Sequence, residues 1–250
     1  GSVMGTYIGM LGGTDPAAKV LFATHLLSAS VMAVPGSIVL AKMLCPQTEE
    51  ATDHVAISGK EKENSNILDA ISSGTVTGVK LMTNIAAMLL VFISLVALAN
   101  YITEGVIGRY TGLNDWIVKI TDGKAQGLTF QFILGVITSP FMWLIGVPSQ
   151  DIMLVGSLLG QKTILNEFVA YFQLQQWKDA GLFMYEKSIL MSTYILCGFA
   201  NISSIGILLG GLGVLAPEKR GLISRIGVPA MIGGALVSVL SATIIGMILG

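Results

Sequence analysis

Gly160-Gln161-Lys162-Thr163-Ile164-Leu165-Asn166-Glu167-Phe168-Val169-Ala170-Tyr171 places an ammonium and a carboxylate inside a chain that is apolar for most of its length. An unpaired charge in hydrocarbon costs roughly 2.5–3.5 kcal/mol on insertion scales, so an ionisable group kept there points to use rather than accident. The surrounding segment, 151–173, also holds Asp151, and its longest apolar pieces are too short to cross a bilayer, which takes roughly 20 residues. Two short helices meeting in mid-membrane near Leu165-Asn166-Glu167 resolve the conflict, because non-helical backbone at that depth is tolerated where protein buries it or where it lines a cavity. The expected element is a re-entrant hairpin over 150–175.

Working outward, the composition sets the class. The 250 residues are 53% hydrophobic and 12% charged, half the roughly 25% charged content that covers a soluble domain. Mean hydropathy is +0.76. The expected fold is an all-α polytopic membrane protein. Windows 20–41, 81–103, 125–150, 188–217 and 226–250 lack Asp, Glu, Lys and Arg, and they give spans at about 16–43, 78–102 and 126–148, a broken helix at 188–216 and a last span at 226–249. Residues 44–76 form an acidic loop followed by an interfacial amphipathic helix, on which Ile67, Leu68, Ile71, Val76 and Val79 recur at helical spacing. Thr138-Ser139-Pro140 and Pro35 predict kinks. The basic turn Lys219, Arg220 and Arg225 orients cytoplasmically by the positive-inside rule.

The broken helix is expected at Gly198-Phe199-Ala200-Asn201-Ile202-Ser203-Ser204, where a glycine and three small polar residues interrupt an apolar run; such unwound backbone coordinates substrate or ion in transporters. A faint echo links the start of the chain, Gly1 to Gly13, with Ser203 to Gly213, as in inverted repeats.

Glu167 beside Asn166 offers a carboxylate acceptor and an amide that donates and accepts, chemistry suited to a polyhydroxylated ligand. The competing reading is a Lys162–Glu167 ion pair that closes the hairpin, although a five-residue spacing puts the two off a shared helix face. Asn201, Ser203 and Ser204 either line a cavity or serve as interhelical glue, at about 0.6 kcal/mol each. Phe199 either stacks on a planar ring or packs. His25, near Ser28 and Ser30, reads as a hydrogen-bonded structural residue, and Cys45 and Cys197 read as free thiols. Net charge of −1 gives no argument for a nucleic-acid partner. No zinc motif, phosphate loop or catalytic triad is recognisable, so neither an enzyme nor a cofactor is expected.

The run Gly160-x-Lys162-x-x-x-Asn166-Glu167-Phe168-Val169-Ala170-Tyr171 resembles the signature of the concentrative nucleoside transporters. Cys197 to Gly206, Ala29 to Pro35 and Pro46-Gln47-Thr48-Glu49 are similar to further stretches of that family. The resemblance implies cation-coupled symport of nucleosides across the plasma membrane (a bacterial inner membrane), by a homotrimer in the lipid bilayer. It implies that Glu167, Asn201 and Ser204 bond the ribose and that Phe199 lies near the nucleoside; Asn166 joins the substrate-binding candidates by its own amide chemistry, with Lys162, which supports the hairpin, and Ser203 as supporting residues. The family's base-reading stretch Gly-Gln-Thr-Glu is not present, so the chain is expected to be the C-terminal half of an inverted-repeat transporter. Its coupling-ion site, for Na+ or H+, should lie before residue 1. The alternatives are a transporter or channel for another polar solute, or a structural membrane subunit.

Overall fold

A computed structural model of the chain describes residues 2–46, 66–121, 123–215 and 217–250; the acidic loop, His54 and most of Pro46 to Glu49 lie outside them. All regular structure among the described residues is helical. Helix α1 (Ser2–Gly12) turns into α2 (Pro16–Leu44), which begins where Asp15 Oδ1 accepts from the Ala17 amide and Pro16 supplies a pre-set φ. Helix α3 (Ile67–Asn100), capped by Asn66, continues as a π-helix over Tyr101–Gly108 and returns to α geometry in α4 (Arg109–Thr111). Then follow α5 (Leu113–Ile120), α6 (Phe130–Leu144), α7 (Ile152–Ile164), α8 (Glu167–Asp179), α9 (Glu186–Cys197), α10 (Ile202–Leu215) and α11 (Arg220–Ile248).

Two boundaries differ from the sequence expectation. The interfacial helix and the span at 78–102 are one uninterrupted helix, Ile67–Asn100. An amphipathic start and an apolar continuation can share one helical path, and only a helix breaker would have separated them. The span expected at 126–148 is the 15-residue α6, about 22 Å long and short of a full crossing. Absence of charge marks depth in the membrane, not complete passage. Pro16–Leu44, Glu186–Leu209 and Arg220–Ile248 are long and apolar enough to cross, the second of them carrying the break.

Helix α6 instead packs along α7, the most extensive helix pairing in the structure. Glycines set the approach: a Cβ on Gly135 would stand 2.8 Å from the Met153 carbonyl, and one on Gly160 2.6 Å from the Leu134 Cβ. Helices α7 and α8 form the expected hairpin, at 13 residues each. The core around it holds Leu11, Phe22, Leu26, Leu158, Tyr171, Leu174, Met191 and Ile195, all buried. Helix α11 packs on α9 and α2, which places the hairpin, the broken helix and α11 around one interior.

Candidate functional site

The hairpin tip is built by asparagine. Leu165 closes α7 with its amide on the Gln161 carbonyl, and Asn166, extended at φ −169°, reverses the chain. Asn166 Oδ1 then accepts from the Val169 amide at 2.9 Å, capping α8. That bond commits its carbonyl oxygen to the helix terminus. Glu167 is therefore the first residue of α8, where the partial positive charge of the free amides favours a carboxylate.

The second asparagine repeats the device at the broken helix. Gly198 leaves helical geometry at φ −82°, ψ 136°, ending α9. Asn201 Oδ1 accepts from the Ser204 amide and from Ser203 Oγ, both at 2.7 Å, and Ser204 Oγ donates to the Asn201 carbonyl at 2.6 Å. Asn201 is wholly buried and Ser204 nearly so. Its remaining group, Nδ2, donates to Glu167 Oε2 at 2.8 Å. One bond thus joins the tip of the hairpin to the break of the next helix. Together with the bond that the carboxylate accepts from its own backbone amide, it leaves acceptor capacity for a ligand donor, since a carboxylate has about four positions. Phe199 lies in the same break and is 55% exposed, an aromatic face left open beside a polar cluster.

The structure therefore brings together Glu167, Asn201, Ser203 and Ser204, gives Asn166 a capping task, and leaves Phe199 open. Lys162 it sends elsewhere. Among the described residues the ion pairs are Lys124–Asp151 and Lys178–Asp179, and the Lys162–Glu167 pair weighed from the sequence is not among them. Lys162 Nζ, fully buried, donates to the Ile195 carbonyl at 2.7 Å and to Ser238 Oγ at 3.1 Å. Hairpin, broken helix and α11 meet at that ammonium.

Other residues brace this arrangement. Asp151, wholly buried at the start of α7, accepts from the Met184 amide through both oxygens at 3.0 and 3.2 Å, from the Tyr185 amide at 3.1 Å and from Lys124 Nζ at 3.2 Å. It fixes the base of the hairpin to the entry of α9. Tyr171 donates to the Thr193 carbonyl at 2.8 Å and stacks on Tyr7 at 4.1 Å. Lys178 donates to the Leu11 carbonyl at the end of α1 and lies over the Phe22 ring. His25 faces Tyr194 OH at 3.1 Å, in keeping with a structural histidine. The sequence marked Asp151 as a charge out of place without its partners, and Ser238 carried no signal.

Residues 25–246 match the family model described as Na+ dependent nucleoside transporter C-terminus. An uncharacterized transporter of Haemophilus influenzae is 38% identical over 253 aligned positions, covering 100% of this chain and 55% of that protein. Sodium/nucleoside cotransporter 1 of Rattus norvegicus is 37% identical, covering 99% of this chain and 37% of the cotransporter. The solved structure of CNTnw in an inward-facing substrate-bound state superposes with a TM-score of 0.74 at 34% identity, over 100% of this chain and 54% of the other. The chain spans about half the length of the H. influenzae relative and of CNTnw, and less of the rat cotransporter.

Proposed function

The chain belongs to the Na+ dependent nucleoside transporter family, and from that premise we propose that it is the ribose-gripping half of a nucleoside carrier driven by a sodium or proton gradient. It is an integral membrane protein of a transporter family, not an enzyme. The observation that carries the proposal is the Glu167–Asn201 bond between hairpin tip and helix break. It holds a carboxylate at a helix N-terminus with acceptor capacity to spare, where the hairpin tip meets the break of the next helix.

In this reading the Glu167 carboxylate accepts from a ribose hydroxyl, and Asn201 and Ser204 complete the polar wall. Phe199 lies against the nucleoside. Asn166 and Ser203 hold the two helix starts in register, and Lys162 supports them from behind. The base is read by residues outside this chain, and the coupling ion binds outside it as well. The carrier sits in the plasma membrane as a homotrimer.

The test is uptake of labelled uridine and adenosine into proteoliposomes that hold the full-length protein. Uptake should collapse when the sodium and proton gradients are dissipated together. Flux of another polar solute that neither nucleoside competes for would replace the proposal with the second reading. No effect of Glu167→Gln on any flux would leave a structural role.

A further inference from the structure

The buried ammonium of Lys162 bonds no member of the proposed ribose site and reaches instead to other acceptors. Its first acceptor, the Ile195 carbonyl, is one of the last four in α9, which ends at Cys197 and so leaves those carbonyls without amides to receive. Its second, Ser238 Oγ, comes from α11. Glycine makes the approach possible: a Cβ on Gly198 would stand 3.3 Å from Nζ and 2.1 Å from Ser238 Oγ. Behind Gly198 and Ser238 a small cavity of about 30 Å³, lined also by Ala29, Ser30, Ala33, Tyr194, Cys197 and Ser241, mixes hydroxyls with apolar walls and has room for water.

Broken helices of secondary transporters present their carbonyl-ended halves and unwound backbone to a monovalent cation. Here a half-helix C-terminus, an unpaired carbonyl, a hydroxyl from a neighbouring helix and a glycine break converge on one point. An ammonium on a side chain occupies it. We propose that Lys162 is a tethered cation, filling for good a monovalent-cation position at the break between α9 and α10. It holds the break in its binding shape and removes this half of the protein from ion coupling. An apolar side chain of equal length would bury the Ile195 carbonyl unpaired, and a carboxylate would repel it.

A vacancy therefore becomes a binding site. The test is thermal unfolding of the purified full-length protein in choline chloride, compared with sodium, potassium and methylammonium chloride. Lys162→Ala should melt several degrees below the wild type in choline and recover at least half of that loss in methylammonium, saturably, at tens of millimolar. The wild type, already filled, should not respond to methylammonium. Lys162→Met should lose the same stability and recover none of it. Wild-type melting by Lys162→Met, or a Lys162→Ala protein indifferent to every small cation, overturns the proposal. Should Lys162→Ala not survive in choline, its yield from membranes extracted in methylammonium is compared with that in tetramethylammonium, and equal yields overturn it too. The unfolding arm does not depend on the proposed carrier function. The transport arm, uridine uptake by Lys162→Ala restored by methylammonium, does. Wild-type protein that takes up no nucleoside defeats the carrier reading alone.

Discussion

Glu167→Gln is the sharpest probe of the site, because the structure separates what it removes from what it keeps. Glutamine has the shape of glutamate, and its carbonyl oxygen can still accept from Asn201 Nδ2, so the 2.8 Å link between hairpin and break survives. The variant loses the negative charge, and with it the proposed charge-assisted bond from the carboxylate to a ribose hydroxyl. Such bonds are worth about 1.5–3 kcal/mol, which predicts a ten- to hundred-fold loss of nucleoside affinity with little change in melting temperature. Calorimetric titration of the full-length protein with uridine and with its 2′,3′-dideoxy analogue measures this directly. The dideoxy compound cannot make the bond, so the two proteins should bind it nearly alike. A change under three-fold for uridine refutes the contact. An equal loss for both ligands refutes the ribose assignment and points to a general disturbance.

Three further outcomes follow from the braces. Asp151→Ala strips two amides and the Lys124 ammonium of their common acceptor, and should cost about 2–4 kcal/mol in unfolding experiments, with Asp151→Asn recovering part of it. Gly198→Ala drives a Cβ against Ser238 Oγ and should destabilise by about 1–3 kcal/mol. Adding Ser238→Ala removes the 2.1 Å clash and leaves a 3.5 Å contact with the residue 238 Cβ beside the 3.3 Å approach to Lys162 Nζ, so the double variant should melt above the temperature that adding the two single losses predicts. Asn166→Ala should cost about 1 kcal/mol through the lost cap and lower uptake, whereas Asn166→Ser keeps both. Thermal unfolding and uridine uptake on the same preparations check all three.

Local chemistry was what the sequence could show. Asn166 ahead of Glu167 is a helix start written in two residues, and Gly198 with Asn201 writes the break, so both turning points of the site stood in the sequence. What escaped it was long-range or backbone-borne. The acceptor of Lys162 is a main-chain oxygen 33 residues away, and a carbonyl has no letter in a sequence. Ser238 lies mid-helix, where serine looks the same whether it bonds its own helix or a neighbour's ammonium. The extent of α6 was hidden for another reason: charge-free sequence suits a helix that crosses and one that lies along a partner equally well.

The bond from Lys178 to the end of α1 sets an order of events in synthesis. The Leu11 carbonyl has to wait for an ammonium 167 residues further along the chain, roughly 10–30 s at ordinary rates of translation. Until then, the end of α1 is without that partner. It also lacks Tyr171, its stacking partner on the hairpin. The long helices α2 and α11 can enter the membrane on their own hydropathy. The end of α1 gains its partners only when the hairpin arrives to supply them, so a ribosome stalled before Lys178 would leave the Leu11 carbonyl and the Tyr7 ring unpartnered by the hairpin.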